Sequence, residues 1–517
     1  MPRIMTATEA VREFIKDGYT VATGGFVGAA HPEELSFAIG EEFRNNGTPK
    51  NITIMYAAGQ GDGKEQGLNY IGQEGLIGRI IGGHWALVPK LQKLALENKC
   101  LAYNLPQGVI THLFRDIAAG KPGVITHVGL KTFVDPRIEG GKLNQMTRDA
   151  EDLIKLIEIE GQEKLLYKAI PINVGIIRAT YADTNGNCTF QKEGIVADAI
   201  AIAQAAKNSG GKVIVQVEKV VEYPTLDPRL VKLPGIYVDA IVVASKPEFH
   251  MQTYGSHYNP AYSGEVRVPV SSLKPLPLDE RKIVVRRAAM ELVPNAVTNL
   301  GIGMPEGVAA VAAEEGLQGM ILTTEAGTNG GIPAGGTDFG VTTNPDCVLE
   351  QPSQFDFYDG GGLDVAFLGL AQMDGHGNIN VSKFGPKIAG SGGFINISQN
   401  TRKVVFCGNF TAGGLEIGVD DSKLVIKQEG KSRKLIDHVE QITFSGKYAQ
   451  ETKQTVLYIT ERAVFELTPE GVKLKEIAPG IDLEKDILQQ MDFKPIVGDY
   501  TLMDERIFRP EKMGIGG

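Results

Sequence analysis

The sequence predicts an α/β protein made of two related, open lobes with mainly parallel sheets. Its 517 residues correspond to about three domains of average size or two large ones. Short runs of β-branched residues alternate with amphipathic segments along the chain, which is typical of parallel strands joined by helices. The two halves also share an internal repeat. We therefore expect two lobes, with a site in the cleft between the carboxyl ends of their strands.

The alternation is clearest in two stretches of the first half. Strands are predicted over residues 19–22 and 51–57, with a helix between them over residues 32–44. Two further strands are predicted over residues 213–217 and 240–244. This β–α–β order favours parallel pairing, because a helix returns the chain to the same end of the sheet.

A proline-rich stretch separates the two predicted lobes. Residues 258–280 include Pro269, Pro275 and Pro277 and show little periodicity, which is typical of a linker. We therefore predict an N-terminal lobe over residues 1–274 and a C-terminal lobe over residues 275–517.

The internal repeat involves two pairs of segments. Residues 174–187 align without gaps with residues 365–378, and each segment reads as a strand followed by an Asp-x-x-Gly-Asn turn. Upstream, residues 17–26 resemble residues 295–304, each a strand that enters a glycine turn before a helix. The repeat predicts that the two lobes share a common strand arrangement.

Composition excludes several classes of function. The 52 basic and 62 acidic residues give a formal net charge of −10, which disfavours nucleic-acid binding. No uninterrupted apolar run approaches the length of about 18 residues that a membrane helix needs. The cysteines form neither a Cys-x-x-Cys pair nor a metal-ligand set, and we expect buried thiols in a reducing compartment; they are Cys100, Cys188, Cys347 and Cys407. We expect a cytoplasmic protein without a metal site.

Glu325 is the first candidate for chemistry. Residues 320–327 read as an apolar strand that delivers this carboxylate at its end, with glycines following at positions 327, 330 and 331. Such a carboxylate can be a nucleophile, a base, a ribose ligand or a solvated loop residue. The surrounding glycines favour a functional role, because they leave room for a ligand to approach.

A second glycine turn leaves two functions open. Gly301-x-Gly303-x-x-x-Gly307 follows a predicted strand and opens a helix, and Glu325 lies about 20 residues beyond it, as in dinucleotide-binding folds. An NAD-dependent oxidoreductase is therefore one alternative. The same turn also suits the diphosphate of coenzyme A, because a helix N-terminus binds anions.

Other motifs bear on which functional classes remain possible. Glycine clusters at residues 360–362 and 390–393 can bind an oxyanion or form tight turns without a ligand. His31, His84 and His376 lack a Cys or Asp partner at ligand or triad spacing, which favours structural roles for them. The chain has neither a Gly-x-Ser-x-Gly elbow nor a Walker A loop, which argues against serine hydrolases and P-loop kinases.

Taken together, these segments resemble the family I coenzyme A transferases along nearly the full chain, and most closely the single-chain acetate/propionate branch. The first signature corresponds to residues 17–32, with Ala30 where glycine is usual. Pro106-Gln107-Gly108 resembles the Pro-Gln-Gly segment. Glu325-Ala326-Gly327 matches the Glu-x-Gly that carries the nucleophile, although other branches have asparagine in place of Ala326. Residues 353–362 and 390–394 are also similar to the propionate branch.

The resemblance implies ping-pong transfer of coenzyme A between short-chain carboxylates. Glu325, in the C-terminal lobe, would form an acyl anhydride and then a glutamyl-CoA thioester. Oxyanion donors would be the Gln107 side chain and a backbone N–H near Gly392 or Gly393. The oxyanion and CoA side would be lined by Gly301, Gly303, Met304, Gly390, Gly392 and Gly393. The acyl group would lie in the N-terminal lobe, against Gly24, Gly25 and Phe26.

The resemblance also implies partners and leaves one further activity open. Acyl-CoA and short-chain carboxylates would be substrates, with no resident cofactor and no metal. A homodimer or homotetramer is expected by analogy. An acyl-CoA hydrolase of the same fold remains the alternative beside the NAD-dependent oxidoreductase.

Overall fold

The computed structural model describes residues 1–269 and 276–516, which fall into two compact units. Unit 1 comprises Met1–Val268, Thr324–Asp356 and Pro386–Asn396; unit 2 comprises the described parts of Pro269–Thr323, Phe357–Gly385 and Ile397–Gly517. The boundary that we predicted between residues 274 and 275 lies outside the described residues. Glu325 groups with unit 1, whereas the sequence placed it in the lobe of residues 275–517.

The reason for this grouping is apolar packing. Ala326, Phe339 and Val341 belong to one buried cluster with Phe26 and Ile195 from the N-terminal part of the chain. Burying these side chains together stabilises unit 1. Periodicity along the sequence reports which residues face a core, but not which core they enter.

Within residues 1–268 the helices and strands alternate as expected. The strands are β1 (Arg3–Met5), β2 (Thr20–Thr23), β3 (Ile52–Tyr56), β4 (Ile77–Gly82), β5 (Leu101–Asn104), β6 (Gly123–Thr126), β7 (Ile154–Ile159), β8 (Gln162–Lys168), β9 (Val174–Asp183), β10 (Cys188–Thr189), β11 (Lys212–Val221), β12 (Val231–Leu233) and β13 (Ala240–Val243). The helices are α1 (Ala7–Phe14), α2 (Glu33–Asn46), α3 (Pro89–Leu96), α4 (Gln107–Ala118), α5 (Gln145–Arg148) and α6 (Ala199–Asn208). The predicted strands correspond to β2, β3, β11 and β13, and the predicted helix to α2.

The rest of the chain contains longer elements separated by short hairpins. The strands are β14 (Val297–Leu300), β15 (Ile321–Thr323), β16 (Thr328–Asn329), β17 (Ile332–Pro333), β18 (Thr342–Thr343), β19 (Cys347–Val348), β20 (Val365–Gly369), β21 (Gln372–Met373), β22 (Ile379–Asn380), β23 (Lys383–Phe384), β24 (Lys387–Ile388), β25 (Lys403–Cys407), β26 (Thr411–Ala412), β27 (Glu416–Asp420), β28 (Lys423–Gln428), β29 (Ser432–Arg433), β30 (Thr455–Ile459), β31 (Ala463–Thr468), β32 (Gly471–Ile477) and β33 (Thr501–Leu502). The helices are α7 (Glu280–Ala289), α8 (Gly307–Glu315), α9 (Gln351–Asp359), α10 (Phe394–Asn400) and α11 (Gly446–Glu451).

The main sheet of unit 1 is parallel along its length. Its strand order is β1-β13-β11-β9-β2-β3-β4-β5, with the short β10 and β12 attached to one side. Every pairing along this path is parallel. The chain builds outward from β2 in one direction and from β9 in the other, so the direction of winding switches between β2 and β9. Loops at the carboxyl ends of the strands beside such a switch commonly bind ligands.

The main sheet of unit 2 begins with the same arrangement. The strands that belong to unit 2 follow the order β15-β14-β20-β25-β30-β31-β32-β33. The pairings from β15 to β30 are parallel, whereas β31 is antiparallel to β30 and β32 is antiparallel to β31. The winding switches between β14 and β20. The prediction of mainly parallel sheets is therefore confirmed in both units.

Strand register supports the internal repeat. Val21 pairs with Val174 across β2 and β9, and Thr298 pairs with Val365 across β14 and β20. Equating these two pairs places Gly24 and Gly301 at the same position, directly after the strand beside the switch. The two units thus carry their glycine turns at equivalent points of the sheet.

The two Asp-x-x-Gly-Asn turns have the same hydrogen bonds. The Asp183 carboxylate accepts the backbone N–H of Asn185 and Asn187, and the Asn187 amide donates to its second oxygen at 2.8 Å. Asp374 makes the equivalent contacts with the N–H of His376 and Asn378 and with the Asn378 amide at 3.0 Å. A short carboxylate that caps its own turn explains why the motif recurs.

One expectation about the cysteines is wrong. Cys100, Cys188 and Cys407 are buried free thiols as predicted, but Cys347 is exposed. It begins β19, which pairs with β16 and lies at the end of the strand order of its sheet, so that no neighbouring strand covers its outer side. Among the described residues, no helix is long and apolar enough to cross a membrane.

We predict that the two Asp turns contribute similarly to stability. Asp183→Ala or Asp374→Ala should each lower the free energy of unfolding by about 2–4 kcal/mol, because each leaves several donors without their acceptor. These donors are part-buried at Asp183 and part-buried or buried at Asp374. Urea denaturation followed by circular dichroism measures this change. The exposed Asp420 offers a control, since Asp420→Ala should change stability by less than about 0.5 kcal/mol. Equal effects at Asp374 and Asp420 would contradict the prediction.

Candidate active site

Glu325 lies two residues after β15, in a tight turn that begins at Thr324. The Gly327 N–H donates to the Thr324 carbonyl at 3.1 Å, and the Thr324 N–H donates to the Thr328 carbonyl at 2.9 Å. The hydroxyls of Thr324 and Thr328 are also hydrogen bonded, at 2.7 Å. These bonds hold the turn closed around a partly exposed Glu325. The expected strand-to-turn placement of this carboxylate is observed.

Glycine is required at the third position of the Glu-x-Gly motif. Gly327 has φ +114°, and a Cβ there would collide with the Leu349 carbonyl oxygen. Ala326 is fully buried in the apolar cluster that also contains Phe26. The turn that carries Glu325 is therefore fixed on both sides of the carboxylate, by backbone contact and by core packing.

The loop formed by Gly390, Ser391, Gly392 and Gly393 is fixed against α4. The Gln107 N–H donates to the Gly392 carbonyl at 2.9 Å. The Gly392 N–H donates in turn to the Gly83 carbonyl at 2.8 Å. This N–H is therefore already engaged within the protein.

Asn104 organises the same region and was not identified from the sequence. Its side-chain amide donates to the carbonyls of Gly82 at 2.8 Å and Gly83 at 2.6 Å, while its oxygen accepts the Ser391 N–H at 3.0 Å. Asn104 is fully buried, so it connects the loop after β4 to the glycine loop. A polar residue ending an apolar strand, two positions before Pro106-Gln107, is the signal that could have indicated it.

Gln107 begins α4 beside this loop. Its side chain is buried, and its amide nitrogen has no hydrogen-bond partner among the described residues. A Cβ on Gly392 would lie 3.6 Å from the Gln107 Oε1, so the side chain lies against the glycine loop. A buried amide donor without a partner is costly, which is the state expected of a group that meets its acceptor only when a ligand binds.

His84 also lies against the glycine loop, although the sequence favoured a structural role. It forms a β-bridge with Gly390, and its ring carbon Cδ2 would lie 3.5 Å from a Cβ on Gly392. Desolvation lowers the pKa of the imidazole to about 4, so the ring is neutral at physiological pH. A neutral imidazole here adds no positive charge next to Gln107.

The turn formed by Gly24, Gly25 and Phe26 follows β2 at the winding switch. The Phe26 ring lies 5.4 Å from that of Phe339 and is buried in the cluster shared with Ala326. The structure thus brings the turn after β2 and the turn of Glu325 onto one apolar core. Together with Gln107 and the glycine loop, these segments all belong to unit 1.

Backbone strain marks the same turn. Val27 and Ala30 both have φ +55°, a left-handed conformation that costs a non-glycine residue about 1–2 kcal/mol. This geometry explains why glycine is usual where Ala30 stands. Strained residues persist when their surroundings fix them, and they concentrate at functional sites.

The remaining predicted residues lie in unit 2. Gly301 directly follows β14, and its N–H donates to the Phe367 carbonyl at 2.8 Å. Gly303 has φ +84°, and Met304 begins a single 3₁₀ turn that leads into α8. This strand–glycine–helix order is the predicted one. In the described parts of the chain, no group of three or more His, Cys, Asp or Glu side chains has the arrangement of a metal site.

Comparison with known proteins relates this geometry to a family. A family model described as coenzyme A transferase matches residues 4–244. The caffeate CoA-transferase of Acetobacterium woodii is 48% identical over 522 residues, which cover 100% of this chain and 99% of that protein. The acetate CoA-transferase YdiF of Escherichia coli is 45% identical over 513 residues, which cover 99% of this chain and 96% of that protein.

A solved structure agrees with the fold along the whole chain. The acyl-CoA transferase YdiF of Escherichia coli, solved as a thioester complex with CoA, matches with a TM-score of 0.93 at 45% sequence identity, covering 99% of this chain and 97% of that chain. Similarity of this extent confirms the α/β fold with mainly parallel sheets and the resemblance seen in the sequence. The chain therefore belongs to the coenzyme A transferase family.

Proposed function

We propose that this chain is a short-chain acyl-CoA:carboxylate CoA-transferase that works through a glutamyl-CoA thioester on Glu325. The observation that carries the proposal is near full-length similarity to the acetate CoA-transferase YdiF, which was solved as a thioester complex with CoA. Glu325 supports it, because this chain presents one carboxylate in a closed Glu-x-Gly turn. Coenzyme A and acyl-CoA are then substrates, and the reaction needs neither a redox cofactor nor a metal.

The first half-reaction transfers CoA to the protein. A Glu325 carboxylate oxygen attacks the thioester carbonyl carbon of acyl-CoA, the carbon–sulfur bond breaks, and CoA leaves as a thiolate. The thiolate then attacks the Glu325 carbonyl of the resulting anhydride. The acyl group departs as a carboxylate, and Glu325 holds CoA as a thioester.

The second half-reaction runs through the same steps in reverse. An incoming carboxylate attacks the Glu325 thioester carbonyl and expels the CoA thiolate, which forms a new anhydride. The thiolate attacks the acyl carbonyl of that anhydride, releasing a new acyl-CoA and regenerating the Glu325 carboxylate. No proton is consumed or released in the complete cycle.

Each step passes through a tetrahedral oxyanion that needs hydrogen-bond donors. We assign one donor to the Gln107 side-chain amide, because its nitrogen is buried and lacks a partner among the described residues. We assign the backbone donor to Gly393, because the Gly392 N–H is engaged with Gly83. Gly392 then shapes the loop rather than donates, and Gly390 keeps its assignment to the oxyanion and CoA side.

Binding energy from the distant parts of CoA must drive this chemistry, since a carboxylate is a weak nucleophile. We assign CoA binding to Gly301, Gly303 and Met304, whose turn precedes α8 and suits a diphosphate. We assign the acyl group to the turn of Gly24, Gly25 and Phe26. Phe26 and Phe339 are buried against each other, and this filled core favours a short acyl chain.

Two further properties are proposed on composition and analogy. Three buried free thiols and an acidic composition favour a cytoplasmic location. A homodimer or homotetramer is proposed by analogy with the family.

The first prediction concerns the nucleophile. Incubation with acetyl-CoA or propionyl-CoA alone, followed by trapping with borohydride or hydroxylamine, should modify the Glu325 peptide, as read by mass spectrometry. Glu325→Gln should lower CoA exchange by at least about 10³-fold, because the amide is not a nucleophile. Glu248→Gln, at an exposed glutamate, should keep wild-type exchange. Initial rates should follow a ping-pong pattern. An unmodified Glu325 peptide under turnover conditions would rule out the mechanism.

The second prediction concerns the oxyanion donor. Gln107→Ala should lower kcat by about 10²–10³-fold with a smaller effect on KM, because the lost hydrogen bond forms mainly in the transition state. Steady-state kinetics of acetyl-CoA and propionate exchange measure this split. Gln191→Ala changes an exposed glutamine and serves as the control. A change confined to KM would argue against this role.

The third prediction separates transfer from hydrolysis. With acetyl-CoA and no carboxylate acceptor, free CoA should appear slowly, and adding propionate should accelerate formation of propionyl-CoA without increasing free CoA. Both products can be followed by liquid chromatography. Rapid release of free CoA without an acceptor would indicate the hydrolase alternative, and NADH-dependent turnover would indicate an oxidoreductase.

A further inference from the structure

Asp198 connects two segments that the proposed function assigns to the site. It is buried at the position preceding α6. A Cβ on Gly24 would lie 3.6 Å from the Ala199 nitrogen and 3.8 Å from the Asp198 carbonyl carbon. The start of α6 therefore packs directly on the glycine turn after β2.

The side chain of Asp198 reaches the other segment. The Thr111 hydroxyl on α4 donates a hydrogen bond to Asp198 Oδ1. Thr111 lies four residues after Gln107, and residues at this spacing share one face of a helix. Asp198 thus contacts both segments: its backbone packs on the turn assigned to the acyl group, and its carboxyl group binds the helix that presents the assigned oxyanion donor.

The second oxygen of this carboxyl group, Asp198 Oδ2, is buried and lacks a hydrogen-bond partner among the described residues. The same holds for both polar atoms of the Gln351 side-chain amide. Gln351 lies close by, because its N–H donates to the Ala197 carbonyl at 3.1 Å. Ala197 itself has φ +51°. Unpaired buried polar atoms and a strained residue both lower the stability of the folded protein, and such features concentrate at functional sites.

The carboxyl group of Asp198 changes its charge near neutral pH. Burial raises the pKa of its carboxyl group to about 7, the Thr111 hydrogen bond opposes that rise, and the nearby Glu350 carboxylate adds to it. His112, on α4, lowers this pKa slightly. Glu350 and His112 are the charged groups that act on Asp198. Helix α4 also carries Arg115 and Asp116, which pair with Asp356 and Lys121, whereas the turn after β2 and the first turn of α6 contain no titratable side chain.

We propose that Asp198 is a positioning residue which, through its charge, sets how well the site accepts a carboxylate. When protonated, the neutral group joins α4 to the start of α6 and leaves the site without an extra negative charge. When ionised, it places an unsolvated anion beside the assigned acyl turn, and an anionic acceptor is repelled. This inference rests on the proposed function, because the acyl turn is assigned there.

The test is the pH dependence of KM for acetate, measured with propionyl-CoA as donor. Between pH 6 and pH 8 the protonated fraction of a group with a pKa near 7 falls about tenfold, so KM for acetate should rise by up to about tenfold. Asp198→Asn carries no charge, and its KM should change by less than about twofold over the same range. A variant that keeps the full wild-type rise would overturn the proposal.

Two neighbouring substitutions shift the midpoint in opposite directions and cover the case in which Asp198→Asn fails to fold. Thr111→Val removes the hydrogen bond that lowers the pKa, so the rise in KM should move to higher pH. Glu350→Gln removes a neighbouring negative charge, so the rise should move to lower pH. Identical midpoints in the wild type and both variants would overturn the proposal.

Stability gives a readout independent of turnover. The pKa of Asp198 is raised in the folded state from 3.8 to about 7, so the folded protein binds this proton more tightly and loses stability as the pH rises through that range. The urea midpoint should fall more between pH 5 and pH 8 for the wild type than for Asp198→Asn. Equal falls would contradict the proposal. A wild-type protein without exchange activity, or with an unmodified Glu325, would instead refute the proposed function.

Discussion

The parallel pairing of the strands in unit 1 is the constraint on which the candidate site depends. Because β2, β4 and β5 run in the same direction, their following loops meet at one edge of the sheet. The turn after β2, the Gly83–His84 segment after β4 and the start of α4 after β5 are all delivered to that edge. A single antiparallel strand among them would send its loop to the opposite edge and remove one component of the site.

At this edge of the sheet, glycine mainly allows the backbone to approach neighbouring segments closely. A Cβ on Gly83 would collide with the Ala57 carbonyl and press on the Gln107 backbone, and one on Gly108 would collide with the Asn396 and Phe355 side chains. The high glycine content, 63 residues, therefore reflects packing of main chain against main chain as well as space for a ligand. Such packing brings backbone N–H and carbonyl groups close enough to fix one another, as they do between Gly83, Gly392 and Gln107.

The two units share their arrangement of strands and turns but differ in the polar side chains around those turns. Both units place a glycine turn after the strand beside the winding switch and an Asp-x-x-Gly-Asn turn after its partner strand. The polar side chains around these turns differ, however. In unit 1 the neighbourhood includes Gln107, Asn104 and a buried Asp198, whereas in unit 2 the turn of Gly301 leads through Met304 directly into α8. A common scaffold can thus support different roles, because function depends on the groups placed on it.

The sequence by itself determined the features that arise from residues close together in the chain. The individual strands and helices, the two Asp turns and the Glu325 turn depend on hydrophobic patterning and on local hydrogen bonds, and their motifs can be read in order. The tertiary structure decided which distant residues meet. The Gly108 N–H bonds the side chain of Asn396, 288 residues away, residues 324–356 join the core of unit 1, and burial raises the pKa of Asp198 to about 7. Each of these depends on the exclusion of water by remote segments, a property that composition and spacing do not record.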